Sequence, residues 1–291
     1  MSDPTSIKTQ FDGNSDKNSR HPEEQSDEGS LRFFGLRPQN DGCVTELLAR
    51  SQGYRLVAGL LSHPKIMEGR TNLREDLKVY QDVLENVNAP WKNKLVLPVN
   101  KLSQSLLNIS QDEWTKEYEF CFGHTAHSKV SPYELEYGEE HSHREPQELA
   151  DITAFYQAFG LQVSEKSHER GDHISTECEF MHFLLYKSVY AIERSEEEHA
   201  SICEEASLRF LTDHLACWMP AFAIRLRQTS QSAWMRAIAD FCISFILTEC
   251  EIQHIEAGDQ NMPIKTIEER VETGCVSCQL SPFFKGSGSG S

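Results

Sequence analysis

DHISTECEFMHFLLYKSVYAIE (Asp172–Glu193) decides the fold class. Its apolar residues Ile174, Cys178, Met181, Leu185, Val189 and Ile192 recur at threes and fours and form one stripe along a helix. Asp172 is a suitable N-cap for that helix. The same period extends outward on both sides. Leu47, Leu48, Tyr54, Val57, Leu60 and Leu61 predict a helix ending near His63-Pro64, and Leu73, Leu77, Tyr80 and Leu84 predict another that stops before Ala89-Pro90. Ser110-Gln-Asp-Glu113 is a capping box ahead of Trp114, Tyr118 and Cys121, with Gly123 as the stop. Pro146 at a first turn and Gly160 as terminator bracket a helix carrying Phe155, Tyr156 and Phe159. Ser195-Glu-Glu-Glu198 reads as a second capping box, opening a helix with Leu208, Leu211, Leu215 and Trp218; Trp234, Ile238, Phe241 and Phe245 mark the last long one. Strand-type alternation is nearly absent and no repeat period is evident. The expected fold is an all-α single bundle of roughly eight to ten helices.

The ends differ from this middle. Residues 1–30 carry three apolar side chains, Met1, Ile7 and Phe11, too few to offset chain entropy. The expected organisation is a disordered arm over 1–42, a helical domain over 43–256, a flexible tail over 257–285 and an engineered GSGSGS linker over 286–291. Lys+Arg 28 against Asp+Glu 45 gives a net charge of −17. That charge argues against nucleic acid and anionic membrane as partners and favours a basic one. The longest apolar run, Phe241 to Leu247, is far short of the roughly 20 residues a spanning helix needs, and no secretory signal opens the chain. Nine cysteines at irregular spacing, several on core stripes, fit free thiols in a reducing cytoplasm.

The segment His124–Arg144 is the longest irregular stretch within the domain and the expected functional loop. His124, His127, His141 and His143 with neighbouring glutamates offer a divalent-metal reading against that of a solvated acidic loop. Cys275-x2-Cys278 with Cys250-x3-His254 offers a Cys3His zinc set against that of free thiols on a flexible end. Glu179-x2-His182, Glu196-x2-His199 and Glu251-x2-His254 have di-iron carboxylate spacing, yet Glu179 falls about 140° from the core stripe at ~100° per residue. No phosphate loop, nucleophile elbow or catalytic triad order is present, so no enzymatic activity is expected.

Three stretches, in order, resemble the TorD/DmsD/NarJ family of cytoplasmic chaperones for molybdenum oxidoreductases. They are Glu117-Tyr-Glu-Phe-Cys-Phe-Gly123 with Ser131-Pro-Tyr-Glu-Leu-Glu-Tyr137, then Glu148–Leu161, then Asp172–Met181, echoed by Phe210–Trp218. The Pro-Tyr-Glu-Leu-Glu-Tyr form is most similar to the branch serving ethylbenzene and dimethyl sulfide dehydrogenases and chlorate, perchlorate and selenate reductases. The resemblance implies a cytoplasmic helical chaperone with no tightly bound cofactor. Its partner would be the apo form of a molybdopterin-containing catalytic subunit of the DMSO-reductase family, held with its twin-arginine leader, where one exists, until molybdopterin guanine dinucleotide is inserted. By position, the implied client surface centres on Pro132, Tyr133, Glu134, Asp172 and His173, extended here to Glu136, Tyr137, Glu177, Phe180 and Met181. Two positions depart from the family pattern: Tyr133 stands where tryptophan is usual, and no proline precedes Asp172-His173. The residues support the implied partner independently. Glu134, Glu136, Glu139, Glu140 and Glu145 offer carboxylates to a twin-arginine pair, Tyr133 and Tyr137 offer aromatic area, and His173 is expected to contact peptide. A metal-binding helical protein (zinc or di-iron) and a regulatory helical interaction domain are the alternative readings.

Overall fold

Helix α6 (Ile174–Glu193), the first helix read from the sequence, is the axis of the bundle. In the computed structural model, residues 7–9, 41–64, 73–123, 130–138, 145–164 and 169–265 are described. Helix α1 (Asp41–Leu61) lies along one side of α6, and α7 (Glu197–Phe210) along another. Helix α9 (Ala233–Gln253) packs against α8 (Ala216–Thr229) and α3 (Asn93–Ser105), while α2 (Leu73–Asn86) covers α1. Helices α4 (Gln111–Phe122) and α5 (Glu145–Ala158) complete the all-α architecture. One apolar cluster runs from Val44 to Cys250, and Phe180, Phe210, Trp218 and Phe222 at its centre are essentially inaccessible. Each large side chain buried there contributes about 1.5–3 kcal/mol of transfer free energy. Gly53 lets α1 approach α9, since a Cβ on it would stand 2.3 Å from the Phe245 ring.

Several helix ends follow the sequence, and others depart for local reasons. Glu113 N–H donates to Ser110 Oγ at 3.3 Å and Ser110 N–H to Glu113 Oε2 at 2.9 Å, the reciprocal bonds of a capping box. At α6 the expected cap, Asp172, is displaced by His173, whose Nδ1 accepts from Ser175 N–H at 3.2 Å. The Ser195 box does not form either. Ser195 sits at φ 62°, and Glu196 takes the N-cap position without a side-chain bond. Helix α3 has no counterpart among the expected helices because Pro98 interrupts its pattern, although Leu95, Val99 and Leu102 form its buried stripe.

From Glu197 to Thr229 the chain is helical without interruption, but α7 and α8 are joined by a π turn over Leu211–Leu215, in which Ala216 N–H donates to Leu211 O. Pro220 lies in the next turn. Lacking an N–H, it frees the Ala216 carbonyl, which accepts instead from Gly258 N–H at 2.8 Å. The stretch 257–265, expected within a flexible tail, is therefore docked on the bundle. Within the expected N-terminal arm, Ile7–Thr9 (β1) pair antiparallel with Leu161–Val163 (β2), Ile7 opposite Val163. Among the described residues no helix is long and apolar enough to cross a membrane.

One buried ion pair ties the first helix to the last. Arg50 Nε and Nη2 donate to the Glu249 carboxylate at 3.0–3.1 Å, with side-chain exposures of 8% and 2%. Removing one partner strands a buried charge. Glu249→Ala is expected to cost about 3–5 kcal/mol in urea unfolding, whereas Arg50→Met with Glu249→Leu should recover most or all of it. Equal losses in the single and double variants would contradict this account.

Candidate functional site

The loop Val130–Gly138 is held against the entrance to α6 by main-chain bonds. Tyr133 and His173 form an antiparallel bridge, in which Glu134 N–H donates to Asp172 O and Ile174 N–H to Pro132 O, both at 2.9 Å. The Asp172 carboxylate, with no exposed surface, completes the lock. Leu135 N–H donates to its Oδ2 at 3.2 Å, while Arg170 Nε and Nη2 donate to Oδ1 and Oδ2 at 2.9 and 2.6 Å. Burial raises the Asp172 pKa; the Arg170 fork and the Leu135 N–H oppose that shift and favour the carboxylate. Arg170 Nη1 also reaches Glu136 Oε1 at 3.3 Å, and its guanidinium lies 4.8 Å from the Tyr133 ring centroid.

His173 serves the same lock from inside. Its Nδ1 accepts from Ser175 N–H and lies 2.7 Å from Ser175 Oγ, which leaves the proton on Nε2. Burial pushes its pKa down to about 4, so the ring is neutral at pH 7. Nε2 has no hydrogen-bond partner and faces Glu169 Oε2 at 3.8 Å, the same oxygen that accepts from Tyr133 Oη at 2.7 Å.

Beside this loop opens a cavity of about 300 Å³. Glu134, Leu135, Tyr137 and Gly138 wall it on one side, Glu148, Asp151 and Ile152 of α5 on another, and Asp213, His214, Cys217 and Trp218 on a third; Met262 closes the rim. The π turn supplies His214, whose Nδ1 lies 3.1 Å from Glu134 Oε1. Behind the wall is Glu177, fully buried, whose Oε2 accepts from Trp218 Nε1–H at 3.1 Å. Its Oε1 has no donor to accept from, and it neighbours the Glu134 carboxylate. Burial first, then the charge of Glu134 and a hydrogen bond to it, raise the Glu177 pKa well above the ordinary carboxylate range. The protonated form of Glu177 is thus favoured relative to an ordinary carboxylic acid. The site is a cleft walled by Glu134, Glu148, Asp151 and Asp213 over an aromatic floor of Tyr137 and Trp218, suited to a cationic group.

The structure divides the expected site residues. Tyr133, Glu134 and Glu136 are partly accessible and gathered on one loop. Pro132, Tyr137, Asp172, His173, Glu177, Phe180 and Met181 are buried, Phe180 in the aromatic core against Tyr156 and Phe210. They position the loop and floor rather than offering surface. Glu139, Glu140, His124, His127, His141 and His143 lie outside the described residues, as do the Glu145 side chain and Cys275 and Cys278. Cys250 is buried on α9, its thiol raised to about 11 by burial, and His254 ends that helix in the left-handed region at φ 55°. Glu196 and His199 bond to each other on the exposed surface, and Glu251 pairs with Lys94. Among the described residues no group of three or more His, Cys, Asp or Glu could hold a metal ion. The sequence reading omitted Glu169, Arg170, Asp151 and the Asp213-His214 pair as site members. Arg170 stands two residues before Asp172, and a basic neighbour of a buried acid was the available signal. Nothing in the sequence marks the π turn that aims His214.

This arrangement defines a class, an all-helical module with a rigid acidic loop beside a cation-sized cleft. Residues 86–223 match the family described as nitrate reductase delta subunit. The chain is 34% identical to a selenate reductase assembly chaperone protein of Thauera selenatis over 29% of its own length and 42% of that protein's. It is 29% identical to a perchlorate reductase assembly chaperone protein of Dechloromonas aromatica over 34% and 43%, and 26% identical to the chaperone protein TorD of Vibrio parahaemolyticus over 54% and 70%. The matches thus span less than half the length of the first two relatives. No solved structure matches. Across its ordered motifs the chain is therefore similar to TorD and to reductase assembly chaperones.

The two buried titrating groups have opposite effects on stability. Neutral His173 stabilises fully above about pH 6.5, and that contribution is lost as pH falls toward its folded value of about 4. Protonated Glu177 stabilises fully below its ordinary value of 4.5, and that contribution is lost as pH rises through its raised folded value. Glu177→Gln, which can still accept from Trp218 and donate to Glu134, should therefore gain stability relative to wild type as pH rises from about 5 to 9. Urea unfolding of both proteins across that range checks this; parallel curves would show that Glu177 carries no shifted proton.

Proposed function

We propose that this protein is a system-specific chaperone that binds an apo-molybdoenzyme catalytic subunit, together with its twin-arginine leader where one is present. In this role it assists molybdenum cofactor insertion before assembly or export and carries out no chemistry itself. The reading rests above all on the acidic cleft beside a locked loop: Glu134, Glu148, Asp151 and Asp213 line a space of about 300 Å³ together with Tyr137 and Trp218. Such a cleft favours an arginine side chain, whose planar fork can engage two carboxylates while its stem lies on Tyr137 or Trp218. The assembly-chaperone names of the relatives support the same role. The client would receive molybdopterin guanine dinucleotide, and the chaperone itself would hold no tightly bound cofactor. Burial of Cys121, Cys178, Cys203, Cys242 and Cys250 as free thiols agrees with a cytoplasmic setting.

The net charge of −17 adds long-range attraction for a basic segment, so association should slow as salt rises. Co-expression with a molybdopterin catalytic subunit, with and without its leader, is expected to yield a stable complex that weakens when the leader is removed. In titrations with a synthetic peptide carrying an Arg-Arg pair before an apolar stretch, Glu148→Gln with Asp151→Asn should weaken binding about tenfold, less at high salt. A complex indifferent to the leader would move the binding surface to the body of the client. No complex with any such subunit would overturn the proposal.

A further inference from the structure

After α9 the chain does not leave the bundle. His254 turns it through the left-handed region, with Ile255 N–H donating to Cys250 O at 3.0 Å, and the segment Ile255–Lys265 runs as a strap over the bundle that brings Met262 to the rim of the acidic cleft. Three attachments hold it. Gly258 N–H takes the Ala216 carbonyl that Pro220 leaves open. A turn in which Met262 N–H donates to Asp259 O places Met262 at the cleft rim, where its own carbonyl accepts from Arg225 Nη2 at 2.7 Å. Finally the strap meets the loop through one antiparallel bridge, Tyr137 opposite Ile264. Gly138 N–H donates to Pro263 O at 2.9 Å and Lys265 N–H to Glu136 O at 2.8 Å.

We infer that this strap is a built-in competitor for the client peptide. Its last residues occupy the edge of Glu136–Gly138 on which an extended basic peptide would pair, and Met262 stands at the rim of the cleft that would take the peptide's cationic side chain. The inference rests on the peptide-binding reading above and assigns its regulation. An edge of alternating donors and acceptors that already pairs with an extended segment of this chain will pair with another of the same geometry. The strap itself offers an apolar Met262 to a cleft walled by Glu134, Glu148, Asp151 and Asp213. Met262 brings no charge to that cleft, in which Asp213 meets only an exposed Arg209 at 3.4 Å and Glu134 faces the His214 ring, while Glu148 and Asp151 line the α5 side. A guanidinium arriving there gains what methionine cannot supply.

The attachments differ in how easily they can be broken. A Cβ on Gly258 would stand 2.0 Å from Cys217 O, so Gly258→Ala forces the strap off α8. Lys265→Pro removes the N–H that pairs with Glu136 O, at the far end of the strap and outside the core. If the strap is seated about nine-tenths of the time, its release should tighten binding about tenfold, since apparent affinity scales with the open fraction. The experiment measures amide exchange at Gly138, alongside titration with the Arg-Arg peptide, in the full-length wild type and both variants. Faster exchange together with tighter binding in both variants is the expected result. Faster exchange with unchanged or weaker affinity would overturn the inference while leaving the peptide-binding reading intact, because the strap would then be part of the site or irrelevant to it. Unchanged exchange in both variants would also overturn it, since the strap would not be a separable element. If wild type and variants alike fail to bind the peptide, the peptide-binding reading fails first and the inference with it.

Discussion

A carboxylate with no exposed surface must be answered by donors fixed in place, and Asp172 is answered from two directions. Arg170 meets it with two bonds from the same loop, and Leu135 meets it with a backbone N–H from a loop far away in sequence. Separating the two loops would take the Leu135 N–H away from a buried carboxylate oxygen, at a cost of about 1–3 kcal/mol, which favours the closed arrangement. The planarity of guanidinium carries the constraint further. With one edge committed to Asp172, Arg170 presents Nη1 to Glu136 and its face to Tyr133, which sets the two accessible groups of the loop relative to each other. Backbone pairing of Pro132 and Glu134 with Ile174 and Asp172 makes the same connection without charge.

A second constraint acts on the opposite wall of the cleft. The helical run from Glu197 to Thr229 contains two departures from α geometry within ten residues, the π turn at Leu211–Leu215 and Pro220. Each leaves a consequence at the site. The extra residue of the π turn brings His214 to Glu134 and against Phe155. The missing donor of Pro220 exposes a carbonyl that only a backbone approaching as closely as Gly258 can satisfy. Irregularities that would weaken a helix standing alone are here the points at which the loop and the strap are attached.

Much of the fold was legible because burial imposes the helical period on the sequence. The stripes of α1, α2, α4, α5, α6 and α9 stand where periodicity places them, and the Ser110 box is formed bond for bond. What escaped did so for physical reasons. Pro98 hides α3, because a proline tolerated on the less buried side of a helix looks like a break in a linear reading. Ser195 has the residue spacing of a cap but adopts a positive φ, a backbone choice that spacing does not encode. Asp172 was read as a local cap, and its actual partners, Arg170 and Leu135, include one 37 residues away. The strap was read as tail because its attachments are backbone bonds to a carbonyl opened by Pro220 and to a loop edge, and backbone donors are present in every sequence.

The residues that carry the family resemblance and the residues that face solvent are therefore largely different sets. Asp172 and His173 are interior, the one bonded by Arg170 and Leu135, the other neutral and capping α6; burial favours the protonated form of Glu177 behind them. These three define the shape of the cleft, and none of them presents charge to a partner. The outward charge belongs to Glu136, Glu148, Asp151 and Asp213, on a 3₁₀ turn, on α5 and on the π turn. Exchanging one of those four alters the field in the cleft without disturbing a buried bond of Asp172 or His173, whereas exchanging Asp172 alters the loop that carries Glu134 and Glu136. A scaffold of this kind separates the conformation of the site from its choice of partner. The ordered motifs accordingly report the first more directly than the second.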